Sequence, residues 1–136
     1  MIVSTTNKSL NILALLLIFA LSGCLDLADG AQTTLIKESG NHSKKKTALL
    51  FLREAGATVG DSYHVSITDY DHILLKAEVG NTLTVDNDHG KTVLSPGSID
   101  LSWKSNDTLE IGYDKKLRTF TQNSPVDGVV ILYKAR

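Results

Sequence analysis

The chain has 136 residues, 42% hydrophobic and 21% charged, with 14 Lys and Arg against 15 Asp and Glu. A balance this close to neutral offers no basic excess for nucleic acid and no acidic tail. The single cysteine, Cys24, excludes an internal disulfide and a zinc site built from thiolates, so the fold must be held by its core.

In chain order, the opening segment has three zones. Met1 to Asn11 is polar, with Lys8 as its one cation and no acid, and Ile12 to Leu21 is an unbroken apolar run. A run of about ten residues fits the 7–15 of a secretory signal and falls short of the roughly 20 needed to span a bilayer. A buried core helix would show a polar stripe at helical spacing, and this run has none. Leu21-Ser22-Gly23-Cys24 resembles the lipobox of bacterial lipoproteins. The resemblance implies a signal peptide over 1–23, cleavage before Cys24, a diacylglycerol on its thiol and acylation of the new amino group. Two or three acyl chains anchor stably where one binds only marginally. Leu25 follows the cysteine where, in the enterobacterial sorting pattern, Asp would retain the protein at the inner membrane; Asp26 lies at a place that other bacteria also read. The expectation is a lipid-anchored envelope protein at the outer membrane, facing the periplasm.

Loss of residues 1–23 removes Lys8 and leaves 13 cations against 15 acids, formally −2. Residues 24–46 are mostly small and polar, with an apolar pair at Leu35-Ile36, and read as a flexible tether with an r.m.s. reach of roughly 25 Å. Lys44-Lys45-Lys46 reads either as a solvated entry to the first strand or as a contact for anionic headgroups at about 1 kcal/mol per cation.

Residues 47–136 leave room for one core. Short apolar runs between Gly, Asn, Asp and Pro predict a small all-β domain, an antiparallel sheet or sandwich of about 6–7 strands. Tyr63, Val65 and Ile67 alternate with His64, Ser66 and Thr68 as a half-buried strand, and 82–85 forms a shorter one. Ile99, Leu101 and Trp103 alternate with polar residues, as do Leu109, Ile111 and Tyr113. A three-residue loop, Ser105-Asn106-Asp107, pairs Trp103 with Leu109, Leu101 with Ile111 and Ile99 with Tyr113, making one face wholly apolar. A strand at 117–121 follows. Val129 to Tyr133 is apolar without alternation, which predicts a central strand covered on both faces. Ala48 to Leu52 is too short for periodicity to choose between helix and strand.

Phe51-Leu52-Arg53-Glu54-Ala55-Gly56-Ala57-Thr58, Val65-Ser66-Ile67, Gly80-Asn81, His89-Gly90 and Thr108-Leu109-Glu110-Ile111 together resemble a family of uncharacterised bacterial proteins. That resemblance implies a strand at 47–53 and brings no chemistry with it. Ala55 departs from the pattern, standing where many members have Cys.

No nucleophile elbow, HExxH or phosphate-binding glycine loop occurs, and neither an enzyme nor a cofactor is expected. The expected role is a binding, interaction or structural module, anchored through Cys24, with an envelope protein as partner and no nucleic acid. Arg53 and Glu54, ending a strand before a loop that contains Thr58, read as the rim of a recognition site or as an ion pair that pins the loop. The alternative is a small-ligand or metal-binding domain using the acidic loops 69–72 and 86–90. The second of these lacks the spaced ligands of a calcium loop.

Overall fold

The computed structural model describes residues 30–56 and 59–136. The lipobox, Cys24 and Thr58 lie outside the described residues. The chain from Ala31 to Arg136 forms one compact unit of eight strands: β1 (Gln32–Gly40), β2 (Lys46–Glu54), β3 (Ser62–Asp69), β4 (Leu83–Asp86), β5 (Ile99–Ser105), β6 (Thr108–Tyr113), β7 (Arg118–Gln122) and β8 (Val130–Ala135). Sheet A is antiparallel in the order β1-β2-β3-β4-β7, and sheet B runs β5-β6-β8. The all-β expectation holds. Sheet B departs from a purely antiparallel arrangement, because β8 pairs with β6 in parallel.

Alternation builds the core between the sheets. Ala48 and Leu50 of β2, Tyr63, Val65 and Ile67 of β3, and Leu83 and Val85 of β4 face Ile99, Leu109, Ile111 and Ile131 of sheet B. The expected hairpin pairs Ile99 with Tyr113, Leu101 with Ile111 and Trp103 with Leu109. The loop itself is a correction: Ser105 pairs with Thr108, leaving a two-residue turn, and a bulge at Lys104 restores the parity that keeps the apolar face continuous.

Two further expectations are corrected. The segment read as tether contributes β1, which pairs with β2 from Gln32↔Glu54 to Gly40↔Thr47. Its sequence is polar because it is an edge strand, with only Ile36 packing against the core. Trp103 Nε1 donates to Ser39 O (2.8 Å), and Asn41 Nδ2 donates to Asn106 O (2.8 Å), so the β1–β2 turn is fastened to the β5–β6 turn. Lys46 pairs with Asp69 and Asp127, which takes it out of any headgroup-binding triplet. The second correction is β8, an edge strand in which Val130 and Leu132 remain 46% exposed. Its apolar run is half surface.

β3 is buried on both faces, not one. His64 and Ser66 point away from sheet B yet are 4% and 1% exposed, as are Leu49 (2%) and Phe51 (0%) on β2. The 70–81 connection straps this outer face. Thr33 Oγ1 donates to Leu75 O (2.6 Å), and Gly80 N to His64 Nδ1 (3.0 Å). Only glycine permits that approach, since a Cβ at Gly80 would lie 2.8 Å from His64 Cβ and 2.9 Å from Val65 O. Asn81 completes the strap by donating to Ile67 O (2.8 Å) and accepting from Ile67 N (2.9 Å), standing in for a strand neighbour.

Candidate functional site

The strap leaves one end of the outer face open. Register lays residues across four strands there: Arg53 pairs with Ser62, Ser62 with Asp86, and Asp86 with Arg118. The next row runs from Phe51 to His64 to Thr84 to Thr121. A bulge in β7 at Phe120 sets its ring under Arg118, whose guanidinium carbon is 4.7 Å from the ring centroid. The result is a cleft of about 470 Å³, with Ser62, His64 and Thr84 on its floor and Arg53, Val59, Asn87, His89, Arg118 and Phe120 around it. That volume is in the range of small-molecule sites.

The electrostatics of the cleft follow from its hydrogen bonds. Arg118 is committed: Nε and Nη2 both bond the Asp86 carboxylate, and Nη1 lies 3.0 Å from His89 Nε2. Arginine can only donate, so His89 accepts through Nε2. The Arg118 guanidinium holds the Asp86 carboxyl below its ordinary range, with a smaller contribution from the Asp88 backbone N–H. His64 is neutral. Burial, helped by the nearby Arg53 charge, lowers it to about 4.

Ser62 Oγ and His64 Nε2 are 2.9 Å apart, the spacing of a nucleophile and its base. The tautomer is the reverse of what that chemistry needs. Gly80 N–H donates to Nδ1, so Nδ1 holds the lone pair and Nε2 the proton, which points at Ser62. A serine nucleophile needs the lone pair on Nε2 and a carboxylate beyond Nδ1. Thr84 Oγ1, 3.2 Å from Nδ1, supplies no charge. His64, stacked on Phe51 at a centroid distance of 5.5 Å, is a fixed part of the floor.

Arg53 differs from Arg118. Its Nε is buried without a hydrogen-bond partner, and no carboxylate pairs with it among the described residues. Of the expected rim residues, Arg53 lies in the cleft. Glu54 is exposed at the strand end and is not among the lining residues, so the expected pairing of the two as a rim is not seen. The acidic loops do not combine. β3 runs from Ser62, opposite Asp86, to Asp69, which at about 3.3 Å per residue lies roughly 23 Å away. The 86–90 loop lines the cleft, but Asp86 and Asp88 pair with Arg118 and Lys91. Asp86 Oδ1 also accepts from Asp88 N, and Asn87 Oδ1 from Gly90 N, as in a turn. At the far end His72 pairs with Glu78 and Asp69 with Lys46. Among the described residues no three His, Cys, Asp or Glu side chains are grouped to hold a metal.

Sequence reasoning missed Arg118, Phe120 and His64. The alternation of His64 with Val65 put it on the outward face, and that was the one signal available. Comparisons with protein-family models, curated proteins and solved structures found no match.

Proposed function

We infer that this chain is a lipid-anchored envelope protein, held through Cys24, that binds a ligand in the cleft at the open end of sheet A. The observation that carries the reading is Arg53. Arg53 is half-buried, its Nε has no hydrogen-bond partner among the described residues, and natural structures keep few buried polar atoms unpaired without a reason. Here the group lines a cavity of ligand size, beside exposed Val59 and Phe120. We read the module as a binder, because the Ser62–His64 contact in the cleft has its proton on the wrong nitrogen for a nucleophile. The outer membrane, facing the periplasm, is the proposed location.

The anchored protein can be tested in its own envelope by hydroxyl-radical footprinting. Phe120, 58% exposed, should be oxidised more slowly in intact membranes than in the purified protein. Tyr70, 41% exposed and beside Gly40 at the opposite end, should react equally in both. Arg53→Gln should restore Phe120 oxidation. Equal oxidation of Phe120 in the two settings would overturn the binding reading. Cys24→Ser should leave an unprocessed chain that takes up no labelled palmitate; normal labelling would overturn the anchor.

A further inference from the structure

The chemistry of the cleft limits what it accepts, and this step rests on the binding reading above. Its lining is rich in donors. Arg53 offers the free hydrogens of its guanidinium. The Ser62 hydroxyl receives the His64 Nε2 proton and so has its own hydrogen to give. Asn87 presents an amide, and His89, accepting at Nε2, carries its proton at Nδ1. The lining carboxylate, Asp86, is held by Nε and Nη2 of Arg118.

Charge counting then narrows the ligand. Asp86 cancels Arg118, His64 is neutral and His89 accepts from Arg118, so Arg53 is the remaining uncompensated charge in the lining. A site with one net positive charge matches a monoanion. A phosphate ester or a diphosphate would bring a second negative charge close to Asp86 and Asp88 with nothing to meet it. The planar fork of an arginine fits a carboxylate with two parallel hydrogen bonds. The lining also has an apolar part: the Phe120 ring and Val59 are 58% and 60% exposed.

We propose that the cleft binds a monocarboxylate that carries an apolar group, with Arg53 on the carboxylate and Phe120 and Val59 against the apolar group. The acid is either a free small molecule or the C-terminus of a peptide. The two present the same chemistry to Arg53.

Calorimetric titration of the lipidated full chain in nanodiscs tests this with defined probes: N-acetylphenylalanine, its amide, a hexapeptide ending in phenylalanine, and inorganic phosphate. Saturable binding of either acid is expected, and the tighter of the two identifies the source. The amide and phosphate should bind at least about tenfold more weakly, the usual scale for losing a charge-assisted hydrogen bond. Arg53→Lys keeps the charge and loses the fork, and it should weaken the acid by a similar factor. Should that substitution disturb folding, Val59→Glu adds a repelling carboxylate on an exposed side chain and should also abolish binding. Absence of saturable binding by both acids, equal binding of the amide, or phosphate binding as tightly would each overturn the proposal. If Phe120 is nevertheless protected in intact membranes, the ligand class is wrong and the binding reading stands.

Discussion

The two outer faces of the sandwich start from the same alternation and reach opposite states. On sheet B the outward residues of β5, Asp100, Ser102 and Lys104, remain exposed, and Lys104 and Arg136 form surface pairs with Glu110 and Asp100. On sheet A the outward residues Leu49, Phe51, His64 and Ser66 are all at or below 4% exposure. The difference is the 70–81 strap, which turns one face of β2 and β3 into a second packed layer and stops short of the row from Arg53 to Arg118. A face that is covered up to an edge and then left open beside an arginine with no paired carboxylate among the described residues is where a ligand can be held. A face of exposed ion pairs is a solvated surface, since such pairs contribute only about 0–1 kcal/mol.

The contrast can be broken most severely at Phe51. Phe51→Ala should destabilise by about 3–5 kcal/mol through lost burial and a cavity, while Ser102→Ala should stay within about 0.5 kcal/mol. Urea melts of the two variants read this directly. Similar losses would mean that the strap leaves the outer face of sheet A accessible. The next largest effect is expected at Gly80, where an added Cβ meets the Val65 carbonyl as well as the His64 side chain. Gly80→Ala should cost about 1–3 kcal/mol, the usual range for overpacking. A neutral or stabilising result would mean that the strap sits farther from β3.

A smaller effect is the pH dependence that His64 imposes. Its folded value of about 4 lies below the ordinary histidine value of 6.5, so between these limits the unfolded chain binds more protons than the native one. Stability from this group is therefore complete above about pH 6.5 and is lost as pH falls toward 4. His64→Gln should flatten the stability profile between pH 4 and 6.5. A profile of unchanged slope would show that His64 is solvated in the native state. Below pH 4 the profile should steepen in both proteins, because the Lys46 and Arg118 partners hold Asp69 and Asp86 below the ordinary carboxylate range.

Much of the inner architecture was legible because it depends on period two. The pairings of Trp103 with Leu109 and of Leu101 with Ile111 follow from parity alone, and parity survives even though a bulge at Lys104 replaces the longer loop. The strand at 47–53 was ambiguous as a sequence because β2 is buried on both faces and shows no alternation. β8 looked the same and is an edge, because Val130 and Leu132 are apolar residues left in solvent. β1 was illegible: an edge strand is held mainly by backbone hydrogen bonds, which leave no mark on side-chain composition. The cleft was legible at Arg53 and in the 86–90 loop. Most of its other members come from β3, β4 and β7, and nothing local in the chain states the register that sets Ser62 beside Arg53 or Asp86 beside Arg118.

The central claim, that the two outer faces differ in what they meet, is tested most directly by crosslinking in intact cells. A photoreactive benzoylphenylalanine is placed in turn at Val59, on the cleft rim, and at Ser102, on the outer face of sheet B. The account predicts a discrete adduct from position 59 that disappears in Arg53→Gln, and none from position 102. An adduct from 102 with none from 59, or one from 59 that persists without Arg53, would contradict it.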